Sequence, residues 1–541
     1  MSSARVPWVN DVSVAAEMPA QAPGRRVSDG RILGGARRLR VVSHALEAAL
    51  YIVIAGSALA IGAVHPWAYV PLWFGAGLIG TLVAVQAVQV QRLGGQLDGH
   101  PFAFHASGRW LVVEPAHDGT EGWGFDLSRP AWPRAPLWWP GVAFLAWAIV
   151  QVAPLPPAIV DMLSPGRGHL SIEEVNRPHP LTIDAFASLR GIAFVTSMLV
   201  FHLGAAALAP QSACRRRFRA FAAWFGSALA LIALFQIAVG ARRIYGIFTP
   251  LESSVFFGSF VNRNHFAAYM TLCAMSALAI LHRALQGYRG LLGARSRLRR
   301  QIVTLGSAEG ASLIVAVVPV LMTIGALIAT TSRGGILSFV GALGLASIVI
   351  RRRQQRLPAG ILALFLVLPL AWFGLDRLGD RFSRIAKDEV GRSAVWRHAV
   401  ASMSGTWITG AGLNTFRAAV SRVLPLTMPE GAPPWPGGIA TAIPAQLHIG
   451  YRTPAGLPGW QWYEEAHNDY VQLAVETGAV GVAIVVWALV ILAARMREPW
   501  LAAAVVGILI HSTVDFSLQI PAVAVLFVVV CAYAESPSSV S

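Results

Sequence analysis

The stretch YVQLAVETGAVGVAIVVWALVILA, residues 470–493, is long enough and apolar enough to cross the hydrocarbon core of a bilayer. It is preceded by the polar run Glu464-Glu465-Ala466-His467-Asn468-Asp469 and followed by Arg495 and Arg497. Working outward, apolar stretches of similar kind recur back to residue 45 and forward almost to the C-terminus, about twelve in all. The expected spans are 45–64, 70–90, 136–153, 186–208, 220–239, 265–284, 311–330, 334–350, 358–375, 470–493, 499–514 and 519–534. The fold expected from them is an all-α, polytopic transmembrane helix bundle.

Composition agrees. Of 541 residues, 55% are hydrophobic and 13% charged, against roughly a quarter charged in soluble domains. The net charge of +16 does not indicate nucleic acid, because the basic residues lie between spans instead of forming a basic face interleaved with aromatics. Cys214, Cys273 and Cys531 have neither CxxC spacing nor the numbers for a disulfide framework, so packing is the expected role. Arg25-Arg26 is not followed directly by an apolar h-region, which argues against a cleavable leader.

Orientation follows from the arginine clusters, since cytoplasmic loops carry the excess of basic residues. Arg25 to Arg40, Arg215 to Arg217, Arg295 to Arg300, Arg351 to Arg353, and Arg495 with Arg497 fall on one side if both termini are cytoplasmic. The opposite side receives the turn Ser332-Arg333-Gly334, the segment Asn262 to His265, a long loop over 376–469, and His511 to Asp515. Loops of that length are usually functional. Its Pro- and Gly-rich middle argues against a second folded domain and for a lid or cap. The segment 91–135 is also polar and carries no motif.

Candidate chemistry gathers on that second side. Arg333, in a tight turn with Gly334 and Gly335, is suited to a phosphate, which guanidinium binds bidentately without losing charge; an interfacial anchor is the competing reading. Arg392 and Arg397 flank Trp396 in a segment of helical potential, and would either cradle a charged headgroup or form a solvated or lipid-facing basic helix. His467, at the entrance to the 470–493 span, is a candidate proton acceptor, with Glu464, Glu465 and Asp469 near enough in sequence to orient it. Asn262, Arg263, Asn264 and His265 offer amides, a guanidinium and an imidazole suited to a sugar, with helix capping by Asn264 as the alternative. His511 and Asp515, four apart on one helical face, make either a hydrogen-bonded pair or ordinary polarity inside the bundle.

These residues resemble the O-antigen ligase family, whose members transfer or polymerise glycans from a polyprenyl pyrophosphate carrier. The family pattern of His, then Asn, Ser or Gln, nine residues, Gly, two residues and Gly is met by His467, Asn468, Gly478 and Gly481. The Ser-Arg-Gly turn and an Arg four residues before a Trp are met by Ser332-Arg333-Gly334 and by Arg392 with Trp396. The resemblance covers roughly residues 245–530, and the long loop is larger than in the best-known ligases.

It implies a GT-C-like bundle divided into a polar basic cytoplasmic segment over 1–44, an N-terminal transmembrane region over 45–240 and a ligase-like region over 241–535. It further implies a multi-pass protein of the bacterial inner membrane, with its active site facing the periplasm, in lipopolysaccharide or exopolysaccharide biosynthesis. The donor would be an undecaprenyl or other polyprenyl pyrophosphate-linked glycan, and the acceptor lipid A core, a glycan or a protein. His467 would be the base and Arg333, Arg392 and Arg397 the pyrophosphate ligands, with Asn262, Arg263, Asn264, His265, Glu465, Asp469, His511 and Asp515 supporting. The reaction would invert the anomeric carbon without cofactor or metal, as no Asp-x-Asp stretch or nucleotide-binding glycine fingerprint occurs. A repeat-unit polymerase is the alternative within the family. A lipid-linked glycan transporter or flippase is the alternative from another class, disfavoured because candidate groups sit at one rim and not at the midplane.

Overall fold

The computed structural model describes residues 12–16, 30–97, 110–115, 123–126, 135, 137–168, 175–249, 256–292, 303–352, 385–423 and 465–535. Eight of its helices are long and apolar enough to cross a membrane. They are α1 (Gly30–Leu59), α2 (Pro66–Leu97), α5 (Ala185–Leu208), α6 (Ser212–Ala238), α7 (Arg263–Leu292), α8 (Ala308–Ala329), α9 (Arg333–Arg352) and α12 (Asp469–Arg495). Three shorter apolar helices, α3 (Trp138–Val152), α13 (Pro499–His511) and α14 (Pro521–Ala534), coincide with three further expected spans. The expected span at 358–375 lies outside the described residues, and the described helices supply eight long spans and three shorter apolar ones against the twelve expected.

The first span begins earlier than expected, with its apolar part at Gly34–Leu59, and ends sooner. The reason for the early end is local. Ile61, Gly62 and Ala63 all take positive φ, a backbone that cannot continue a right-handed helix. Three short strands, β1 (Val12–Ala16), β2 (Trp110–Pro115) and β3 (Trp123–Asp126), pair antiparallel in the order β1-β2-β3, with Val14 opposite Val113 and Leu111 opposite Phe125. Thus the 91–135 segment, which carried no motif, supplies two of the three strands, and the third comes from the segment before α1.

α7 is the central helix. Its residues from His265 to Ala279 are buried without interruption, among α6, α8, α13, α14 and α9. Small residues let the neighbours approach: a Cβ on Gly226 would fall 2.5 Å from Cβ of Cys273, and one on Gly507 2.9 Å from Ala342. At the arginine-rich end, Arg217 of α6 pairs with the buried Glu47 of α1 at 2.7 Å, and Tyr51 donates to the same carboxylate at 2.8 Å. One arginine of the Arg215 to Arg217 cluster therefore ties two helices together.

At the other end, part of the long loop is folded. α10 (Ile385–Ser402) and α11 (Phe416–Ser421) pack on α12 through Val395, Ala399, Phe416, Val420, Ala466 and Val475. The loop after α4 (Pro157–Leu163) joins them: Gly166 N–H donates to Gly405 O at 3.1 Å and Ile183 N–H to Ala411 O at 2.9 Å. A cap built from two loops results, and the Pro-rich middle of the long loop, beyond residue 423, lies outside the described residues.

Candidate active site

The start of α12 is fixed by its own side chains. Asn468 is the N-cap, its Oδ1 accepting from the N–H groups of Tyr470 at 3.0 Å and Val471 at 3.1 Å, an arrangement that contributes about 1 kcal/mol to a helix. Its Nδ2 donates to Thr513 O at 2.9 Å, while Asp469 N–H donates to Ser512 O at 2.9 Å and Asp469 Oδ2 accepts from Leu518 N–H at 3.2 Å. The Asn-Asp pair after His467 thus clamps the turn between α13 and α14. His467 itself takes φ +49°, which aims its ring into that turn.

Asp515, in the same turn, is the point of convergence. His467 Nδ1 and His265 Nε2 each lie 3.7 Å from its Oδ1, and His511 Nε2 lies 3.5 Å from Oδ2. These separations are ion-pair contacts just beyond hydrogen-bond length. Both His265 and His467 also set their rings edge-on to Phe516, at 4.7 and 5.0 Å between centroids. Burial alone would push the Asp515 pKa up, but the three imidazoles around it outweigh burial and hold the carboxyl well below its ordinary value.

Exposure separates the three histidines. The side chain of His467 is 42% exposed, whereas those of His265 and His511 are 6% and 1% exposed. Because Nδ1 of His467 is buried against Asp515, Nε2 is the nitrogen left open. His511 is held from behind by Ser338 of α9, with Oγ 3.4 Å from Nδ1.

The Ser-Arg-Gly turn comes to the same place. Ser332 Oγ accepts from Gly335 N–H at 3.2 Å, and a Cβ on Gly334 would stand 2.9 Å from Val514 and 3.6 Å from the His511 ring. Arg333, between them, is half-buried at the first position of α9. Asn262, not Asn264, caps α7: its Oδ1 accepts from Asn264 N–H at 2.8 Å, and Arg263 and Asn264 are half-buried beside it. That capping accounts for one amide of the expected sugar-binding set, and His265 goes to Asp515.

In α10, Trp396 Nε1 donates to Ala466 O at 2.9 Å, so the tryptophan of the Arg-x3-Trp pattern holds the residue before His467. Arg397 is exposed on the same helix, and the Arg392 side chain lies outside what is described. So does Glu464. Glu465 is held by Gln472. Gly478 breaks α12 at φ +63°, where a Cβ would stand 2.3 Å from Ile408 O; the backbone of the cap lies directly on it.

Beside the Asp515 turn, a cavity of about 490 Å3 runs under the cap, its lining including Tyr69, Arg190, Asn414, Arg417, Glu465 and Gln472. Two residues that organise it went unremarked in the sequence, Gln151 and Glu476. Gln151 donates to Thr409 O and Glu476 O, and Glu476 accepts from Asn414 N–H at 2.8 Å and Phe416 N–H at 3.3 Å. The available signal was a carboxylate and an amide inside apolar spans. Among the described residues, no group of three or more His, Cys, Asp or Glu side chains is placed to hold a metal ion.

A multi-helix bundle with ionisable groups collected at one end, under a cap, defines a polytopic membrane protein with an enzyme-like polar site. The family model described as O-antigen ligase matches residues 318–486, from α8 into α12. The match contains Arg333, Arg392 and His467, while His265, His511 and Asp515 come from helices and a turn outside it. No curated protein matches the chain.

Proposed function

We propose that the protein moves or polymerises a glycan from a polyprenyl pyrophosphate carrier onto an acceptor hydroxyl, at the extracytoplasmic face of the bacterial inner membrane. The observation that carries this reading is the asymmetry around Asp515: three imidazoles share one buried carboxylate and only His467 is open. A general base must reach its substrate while the group that orients it stays shielded.

In the reaction, Nε2 of His467 takes the proton of the acceptor hydroxyl as that oxygen attacks the anomeric carbon. The bond from that carbon to the pyrophosphate oxygen breaks, and the polyprenyl pyrophosphate leaves with the electron pair. Attack opposite the leaving group inverts the anomeric configuration. Asp515 stabilises the imidazolium formed on His467, and Arg333 with Arg392 neutralises the leaving pyrophosphate. The cavity beneath the cap is suited to a sugar, with amide, carboxylate and guanidinium groups beside Tyr69 and Trp73. Arg215 to Arg217 near the start of α6, Arg352 at the end of α9 and Arg495 at the end of α12 stand at the helix ends opposite to this site, which supports the orientation.

Deleting the gene and analysing surface and lipid-linked glycans tests the assignment. Loss of capped lipopolysaccharide with long lipid-linked chains retained identifies a ligase. Accumulation of single lipid-linked repeat units identifies a polymerase. An unchanged glycan profile removes the proposal.

A further inference from the structure

Arg190 of α5 lies on the lining of the cavity under the cap, in a part of the chain outside the family match. Its Nε is buried and makes no hydrogen bond, and its guanidinium stands 5.1 Å over the Phe186 ring. Among the described residues no hydrogen bond or ion pair engages it. A half-buried guanidinium in that state has lost water without gaining an opposite charge, which is a standing cost that an anionic ligand would remove.

The helix around Arg190 is fixed against the cap. One turn before it, Ala187 O accepts from Asn414 Nδ2 at 3.0 Å, and directly after it a Cβ on Gly191 would stand 2.8 Å from Leu413. The 413–414 loop is therefore seated on α5 on either side of the arginine, which places its charge in the cavity wall.

Three carboxylates share this lining, and each already has donors. Asp184 Oδ1 accepts from Ala187 N–H at 2.9 Å, Glu465 is held by Gln472, and Glu476 accepts from Asn414 N–H and Phe416 N–H. Arg417, the other guanidinium on the described lining, is engaged as well. On α2, Tyr69 and Trp73 stand four residues apart on one helical face, their ring centroids 6.2 Å apart and their planes at 22°. Tyr69 is within electrostatic reach of both Arg190 and Glu465. Paired aromatic faces beside a few fixed polar groups, in a space of about 490 Å3, have the make-up of a site for a small polar ligand.

Resting on the reading of the protein as a glycan transferase, we propose that this cavity takes an acidic sugar of a substrate glycan, its carboxylate paired with Arg190 and its ring against Tyr69 and Trp73. Guanidinium and carboxylate match in shape, two N–H groups to two oxygens. A neutral sugar would leave the Arg190 charge uncompensated. The carrier's pyrophosphate would bring more than one negative charge beside Asp184, Glu465 and Glu476, where like charges oppose it.

The full-length protein in detergent is titrated with the methyl glycosides of glucuronate, galacturonate and mannuronate, each beside its neutral counterpart, and with inorganic pyrophosphate. Binding is read by saturation-transfer NMR and folding by thermal unfolding. At least one uronide is expected to bind about tenfold or more tighter than its neutral counterpart, the factor that one charge-assisted hydrogen bond supplies. Arg190→Gln should bring the two sugars level, and Arg190→Lys, which keeps the charge and loses the fork, should keep only part of the preference. Should the Gln variant not fold, the Lys variant and the wild-type comparison decide. Competition of the preferred uronide with the lipid-linked donor or with the acceptor in a transfer assay tells which of them carries the acid, and competition with neither overturns the proposal. So does the absence of a preference for any uronide, an undiminished preference in a folded Arg190 variant, or tighter Arg190-dependent binding of pyrophosphate. Binding is read without turnover, so the two readings fail separately. A protein that transfers glycan yet binds acidic and neutral sugars alike loses this inference alone, and one that prefers a uronide yet transfers nothing loses the transferase reading alone.

Discussion

His467 and Asp515 face each other at 3.7 Å across the turn between α13 and α14, Nδ1 towards Oδ1, with the carboxylate buried and the imidazole open on its far side. The pair is held by two independent devices. One is the Asn468 cap and its bond to Thr513, and the other is the indole of Trp396 on Ala466.

If His467 is the base, His467→Ala should lower glycan transfer by about a hundred- to ten-thousandfold while leaving protein abundance and carrier binding nearly unchanged. Asp515→Asn keeps the shape and removes the charge, so it should lower transfer as well with His467 still present. Transfer measured with purified variants and a lipid-linked donor checks both. Wild-type rates in His467→Ala would withdraw the base assignment.

Asp515 also makes a prediction about pH. Its carboxyl is held well below the ordinary value by the surrounding histidines, so it is more readily ionised folded than unfolded. Its contribution to stability is therefore complete above the ordinary carboxylate range, about pH 4, and is lost as pH falls through the folded value. The unfolding midpoint of the wild type should drop more steeply than that of Asp515→Asn on acidification below about pH 4. Parallel curves would show that the cluster does not stabilise the ionised carboxylate.

The bundle was legible because span length and hydropathy are properties of contiguous residues: eleven of the expected spans coincide with helices, and the twelfth lies outside the described residues. His467 was legible through a local pattern. Its relation to His265 was not, because the two are far apart in sequence and only the packing of α7 against the 512–520 turn brings both to Asp515. The segment Asn262 to His265 stands at the end of α7 that carries the candidate site, while the cap made by Asn262 and the contact of His265 with Asp515 could not be read from the segment alone. Gln151 and Glu476 were hidden for a similar reason, since their partners are backbone groups of the distant 409–416 loop.

Arg333 stands one residue from Gly334, whose close fit to Val514 and His511 fixes the turn against the histidine cluster. Arg333→Lys retains charge but loses the planar fork that matches phosphate oxygens. We expect a substantial loss of transfer with normal membrane insertion, read from donor turnover alongside protein in washed membranes. Full activity in both Arg333→Lys and Arg333→Ala would remove the phosphate-binding role.

Gly478 separates structure from chemistry in the His-Asn-Gly-Gly pattern. At φ +63°, with Ile408 O 2.3 Å from where a Cβ would be, Gly478→Ala meets both backbone strain of about 1–2 kcal/mol and a backbone atom that cannot rotate away. The cap should loosen, with a lower unfolding midpoint. Gly77→Ala, where no atom lies within 4 Å of the added methyl, should be neutral or slightly stabilising as a helix substitution. Equal midpoints for the two variants would mean that the cap does not rest on Gly478.

The orientation of the bundle decides on which side the chemistry occurs, and the protein offers a clean assay for it. Its three cysteines, Cys214, Cys273 and Cys531, are all buried, so a thiol reagent that cannot cross membranes has little native background to report. Val400 in α10 is 64% exposed at the capped end, and Gly290 near the end of α7 has open space around its missing Cβ at the arginine-rich end. In intact cells with a permeabilised outer membrane, Val400→Cys should be labelled and Gly290→Cys should not, until the inner membrane is broken. The reverse pattern would put the arginine clusters outside, against the charge bias of cytoplasmic loops. It would also place His467 where a carrier-linked glycan delivered to the periplasm could not reach it.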